Sequence, residues 1–172
     1  MPATRSTVLL AAGALAAAGL LAVPATADAA VPACGNHSLT VSATASQGAT
    51  GHANFVLLFK NTSHATCSLY GYPGLDALAA NGHVLAHAVR TLRGFTGGSR
   101  HGLQTIVIRP GGYASADVEW MNFNPVTSGP CTFSHSVATT PANTTDTVHL
   151  AKSVSVCDLQ VHPTVAGTSG NS

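Results

Sequence analysis

Charge is what this sequence has least of. Of 172 residues, 8% are Asp, Glu, Lys or Arg, seven basic against six acidic with a formal net charge of +1, against a usual globular share of roughly 25%. So even a balance excludes the strongly basic face that bulk binding of nucleic acid needs. Aromatics are scarce at 5%, and glutamate occurs once, at Glu119. The motifs Gly-x-Ser-x-Gly, His-Glu-x-x-His and Ser-x-x-Lys are missing, as is a glycine loop carrying a strand into a helix to cradle phosphate. No two cysteines are closer than 26 positions, which removes the Cys-x-x-Cys pairs of a zinc site. Helical periodicity is almost absent after the first thirty residues. These absences point away from an enzyme, and no cofactor or metal is expected.

The first thirty residues have a different character. Arg5 alone precedes an uncharged Ala, Leu and Gly stretch over residues 6–23, followed by Pro24 and small residues. That order is the basic, apolar and cleavage region of a signal peptide. Ala27 and Ala29 offer the small residues that signal peptidase reads, so residues 1–29 are expected to be removed. A spanning helix would want about 20 strongly apolar residues, and Pro32 ahead of Cys34 argues against lipid attachment. With no later apolar span, the expectation is a freely secreted, extracellular protein with no membrane span. Residues 30–163 then form one domain burying roughly 70% of its unfolded surface, and residues 164–172 read as a flexible tail. In an exported chain, Cys34, Cys67, Cys131 and Cys157 imply two disulfides. Three pairings are open; Cys34 with Cys67 and Cys131 with Cys157 is preferred, each tying near neighbours in one half of the domain.

Short segments with period-2 patterning, bounded by Gly, Pro and Asn, predict strands. Residues 53–60 carry Phe55, Leu57 and Phe59 on one face and Val56 and Leu58 on the other, as in a central strand. Asn81-Gly82 between residues 75–80 and 83–89 predicts a tight hairpin. Residues 114–120 alternate Ala114, Ala116, Val118 and Trp120 against Ser115, Asp117 and Glu119, a pattern that predicts a half-buried strand with its acids in solvent. Residues 104–108, 132–138, 145–150 and 154–161 complete the set; the last places Asp158, Gln160 and His162 opposite Cys157, Leu159 and Val161. About eight strands form an all-β, Ig-like antiparallel β-sandwich.

At Asn61-Thr62-Ser63, Cys67-Ser68-Leu69-Tyr70-Gly71-Tyr72-Pro73-Gly74, Arg109-Pro110-Gly111-Gly112 and Cys157-Asp158-Leu159-Gln160-Val161-His162-Pro163, the chain resembles an actinobacterial family called domain of unknown function 4232. The resemblance spans about Cys34 to Pro163. It implies a secreted or surface β-sandwich of unassigned role and brings no catalytic residues. On physical grounds Asn61-Thr62-Ser63 and Gly71-Tyr72-Pro73-Gly74 are turn-forming scaffold.

Nine histidines invite a metal reading, but His83 and His87, the one pair spaced by four, lie about 13 Å apart on a strand. Asp117 and Glu119 lie about 6.6 Å apart along theirs, inside the range of inverting glycosidases, yet such a pair is ordinarily the outer face of a strand. The remaining feature is residues 90–102. They hold Arg90, Arg93, Arg100 and His101 with no acid between Asp76 and Asp117, and set Phe95 among Gly94, Gly97 and Gly98. A long loop of this kind carries function more often than scaffold does. The expectation is a non-enzymatic binding or envelope-interaction module in which Arg93, Phe95, Arg100 and His101 meet an anionic wall polymer or another secreted protein. The competing readings are a solvated loop with Phe95 folded back, and a secreted hydrolase with a dispersed Ser, His and Asp site.

Overall fold

A computed structural model describes residues 30–172. The signal peptide expected over residues 1–29 lies outside the described residues.

The described residues form strands and no helix. The chain's longest apolar alternation becomes its organising strand, β3 (His52–Asn61), after β1 (Leu39–Ala43) and β2 (Gln47–Ala49). Phe55, Leu57 and Phe59 are fully buried, while Val56 and Leu58 are half-buried. β3 has neighbours on both sides, β1 and β2 on one and β9 (Tyr113–Met121) on the other, all antiparallel. Nine residue pairs, from His52 with Met121 to Lys60 with Tyr113, join β3 to β9.

The second sheet is built from β5 (Gly74–Leu78), β6 (Val84–His87), β10 (Ser136–Thr140) and β11 (Val148–Leu150), in the order β11-β10-β5-β6. The expected Asn81-Gly82 hairpin joins β5 to β6, with Gly82 at φ 82° and a register shift at Ala77 and Leu78. Positive φ at the turn is what glycine supplies at no steric cost. A two-stranded ribbon of β4 (Cys67–Tyr70) and β8 (Thr105–Ile108) completes the sandwich. One buried cluster, centred on Phe55, Leu57, Phe59, Leu69, Ile108, Val118, Trp120 and Val137, fills it. Disulfides Cys34–Cys67 and Cys131–Cys157 are the preferred pairing.

Asn61 shows why a polar turn can sit inside. It is fully buried, its amide donates to the carbonyls of Ala65 and Ile108 at 2.8 and 2.9 Å, and its Oδ1 accepts from the Ser63 amide and hydroxyl. Every polar atom of the side chain is satisfied, as burial requires.

Three expectations need correction. Ser115, Asp117 and Glu119 do not face solvent: β9 is buried on both faces, the two acids being 0% and 2% exposed. Residues 154–161 are not one strand, because Asp158 adopts φ 48° and strand geometry survives only in β12 (Gln160–Val161). His162 turns inward with no exposure. Residues 164–172 do not hang free. Their β13 (Val165–Ala166) pairs with β9, and the Gly170 amide donates to the Ser115 hydroxyl at 3.0 Å.

Candidate functional site

The stretch between β7 (Val89–Arg90) and β8 is a built structure. β7 pairs in parallel with β12, which in turn pairs with β9. The chain then folds into a small hairpin: Arg93 bridges to Gly98, the Gly94 amide donates to the Gly97 carbonyl, and the Ser99 amide donates to the Leu92 carbonyl. The tip of this hairpin, residues 94–97, rests on the polar face of β9.

That contact explains the burial of the acids. Glu119 accepts the Phe95 amide on Oε1 at 2.9 Å and the Thr96 amide on Oε2 at 2.6 Å. The Thr96 hydroxyl stands 2.6 Å from Glu119 Oε2 and 2.7 Å from Asp117 Oδ2. Asn54, across on β3, donates to Asp117 Oδ1 at 2.8 Å. A Cβ on Gly94 would collide with the Glu119 carboxylate, and one on Gly97 with that of Asp117. The glycines are there because main chain must lie directly on carboxylate oxygen.

His162 completes the group. Its Nδ1 lies 3.1 Å from both the carbonyl and the hydroxyl of Thr91, and the Thr91 hydroxyl gives its own proton to Gln160 Oε1. Both partners therefore accept, so Nδ1 carries a proton. Nε2 points toward Glu119 Oε2 at 3.8 Å, too long for a hydrogen bond, and has no hydrogen-bond partner.

The three groups titrate unlike free side chains. Burial raises Asp117, against the opposing pull of hydrogen bonds with Thr96 and Asn54. Burial also pushes Glu119 upward, but His162, the Thr96 hydroxyl and the Thr96 and Phe95 amides together outweigh it and hold its carboxyl at about 2. Burial pulls His162 down, yet the facing Glu119, the Thr91 carbonyl and Asp117 prevail and raise it. Hydrogen bonding to a charged form and a nearby opposite charge are the expected causes.

Above this anchor the hairpin forms the wall of an open groove of about 500 Å³, lined by Arg93, Phe95, Thr96, Arg100, Asn171 and Ser172 among others. Phe95 is 62% exposed and lies flat on the His52 ring of β3, with centroids 4.2 Å apart and planes 12° apart. It has thus found neither the core nor free solvent. Of the four residues singled out from sequence, Arg93, Phe95 and Arg100 meet at the groove, and His101 is not among its lining residues. Sequence reasoning missed Asp117, Glu119 and His162 as a group. The available signal was the run of Gly94, Gly97 and Gly98, which announces close backbone approach to something.

These features define an all-β, doubly disulfide-bonded sandwich that presents a loop-built groove over a buried acid pair. The family model described as Domain of unknown function (DUF4232) matches residues 34–167, and the chain belongs to that family. No curated protein matches the sequence.

Proposed function

We propose that the protein is a secreted, non-enzymatic binding module that takes an anionic ligand, an acidic wall polymer in the first place, in the groove between Arg93 and Arg100. The observation that carries this reading is the pre-organisation of the groove. The hairpin that bears Arg93 and Phe95 is tied by two main-chain hydrogen bonds to the buried Glu119 carboxylate, with the Thr96 hydroxyl in contact with both acids, so little ordering cost remains to be met on binding. Arginine's fork suits carboxylate and phosphate groups, and an exposed ring already stacked on His52 offers apolar surface beside it. No acidic side chain is among the groove's lining residues.

The separated pKa values of Asp117 and Glu119 would suit an acid and base pair, which is the strongest point for a hydrolase. Against it, Thr96 and two glycines lie directly on the carboxylates, leaving no place for a substrate. The test is retention of the purified protein on an acidic wall-polymer fraction, alongside a panel of ester, peptide and glycoside substrates. Saturable retention without turnover supports the module; turnover abolished by Asp117→Asn would replace it with the hydrolase.

A further inference from the structure

The cluster beneath the hairpin is short of positive charge. Asp117, Glu119 and His162 each bring one potential ligand atom to within 4.8 Å of the others, all on buried residues. Into this spot the hairpin sends two protons, those of the Thr96 amide and hydroxyl. The hydroxyl has a single proton but close contacts with both carboxylates, so it can donate to one only. No Lys or Arg pairs with either acid among the described residues, and the one ionic contact is the 3.8 Å approach of His162. Isolated carboxylates are costly to bury without a compensating charge.

His162 is arranged in a way that points to the missing partner. Its Nδ1 proton is held by the Thr91 carbonyl, and its Nε2 is fully buried, unpartnered and aimed at the acids. Metal-ligating histidines commonly donate the other ring N–H to a carbonyl in this manner, which fixes the ring and its tautomer. We propose that Asp117, Glu119 and His162 form a buried site for one divalent transition-metal ion, of the zinc or manganese type, roofed by the 93–98 hairpin. One imidazole and two carboxylates are a donor set that suits those ions, whereas calcium takes oxygen ligands. Tetrahedral ligand atoms at about 2.1 Å from a zinc ion are about 3.4 Å apart, so the 3.8 Å between Nε2 and Oε2 would have to close by a few tenths of an ångström around the ion. The Thr96 hydroxyl is placed to supply a further oxygen. Such an ion would fix the hairpin from below and does not depend on what the groove above it binds.

The experiment is metal retention by the purified full protein. After treatment with a chelator it is equilibrated with Zn²⁺ or Mn²⁺, desalted and analysed by elemental mass spectrometry. The expected result is one ion per chain and a raised melting temperature. His162→Gln and Glu119→Gln should each abolish both, while the double variant His37→Ala, His87→Ala, which removes two exposed histidines near carboxylates, should retain both. Failure of the wild-type protein to keep either ion overturns the proposal, as does a bound ion lost in the surface variant and kept in His162→Gln. Should the buried variants not fold, anomalous diffraction from zinc-soaked wild-type crystals decides. A peak between Glu119 and His162 supports the site; a peak elsewhere, or none, overturns it.

Discussion

Thr96 lies on Glu119, its main-chain amide 2.6 Å from Oε2 across 23 positions of sequence. The relationship turns the only glutamate of the chain from a surface charge into the anchor of a loop. It also explains how a strand can bury acids on one face and tryptophan on the other.

Because main chain rests on carboxylate, the hairpin tolerates no Cβ at Gly94 or Gly97. Gly97→Ala should push the tip off Asp117 and forfeit the hydrogen bonds to Glu119, at a cost of about 2 kcal/mol, the scale of hydrogen bonds to a charged group. Urea unfolding measures the loss. Amide exchange should place it at Phe95 and Thr96, and unchanged protection there would contradict the assignment.

Asn61 satisfies two carbonyls and one turn from inside the sandwich. Asn61→Ala takes the side-chain donor from the buried Ile108 carbonyl and the acceptor from the Ser63 amide, and should destabilise by about 3 kcal/mol. Asn61→Asp keeps the acceptor for Ser63 but loses both donors, so it should be nearly as damaging. Denaturant midpoints of the two variants provide the check.

Acid should weaken the hairpin in metal-free protein. The Glu119 carboxyl is held at about 2, below its ordinary 4.5, with His162, Asp117 and Thr96 facing it. A depressed folded-state value means the ionised form stabilises the fold. That contribution is full above about 4.5 and drains away as pH falls toward about 2. Glu119→Gln removes this limb, so its stability should change less with pH across that window. Urea midpoints of both proteins, taken through the window, test the difference.

If the groove binds an acidic polymer, Arg93→Ala with Arg100→Ala should weaken retention and flatten its dependence on salt, since exposed charges are screened over about 8 Å at physiological ionic strength. Metal retention should be unchanged in this variant, because neither arginine is among the converging groups below. Equal retention at low and high salt in the wild type would remove the electrostatic basis of the reading.

The hairpin at Asn81-Gly82, the central strand around Leu57 and both disulfides were legible because each is a local pattern or a small combinatorial choice. Alternation along residues 114–120 was legible too, but its meaning was not. Period 2 says that Asp117 and Glu119 share a face; it does not say what lies on that face. The cover comes from Thr96, some twenty residues upstream, and from Gly170, 55 residues beyond Ser115. The inward position of His162 has a related cause: the alternation expected over residues 154–161 breaks at Asp158, where φ is 48°. The groove residues Arg93, Phe95 and Arg100 were found through their charge and isolation, whereas the burial of the acids beneath them, and their meeting with His162, is visible only once the chain is folded.

The Cys131–Cys157 bridge has a consequence for how the protein would age in a protease-rich medium. It closes a 26-residue span that contains β10, β11 and the exposed turn at Asn143 and Thr145. A protease nick at that turn would leave both pieces covalently joined, with β10 still paired to β5 on one side and β12 to β9 on the other. The cut molecule should run as a whole chain on a non-reducing gel and as two fragments after reduction. Damage at this exposed turn of the second sheet would thus be silent until the surroundings became reducing.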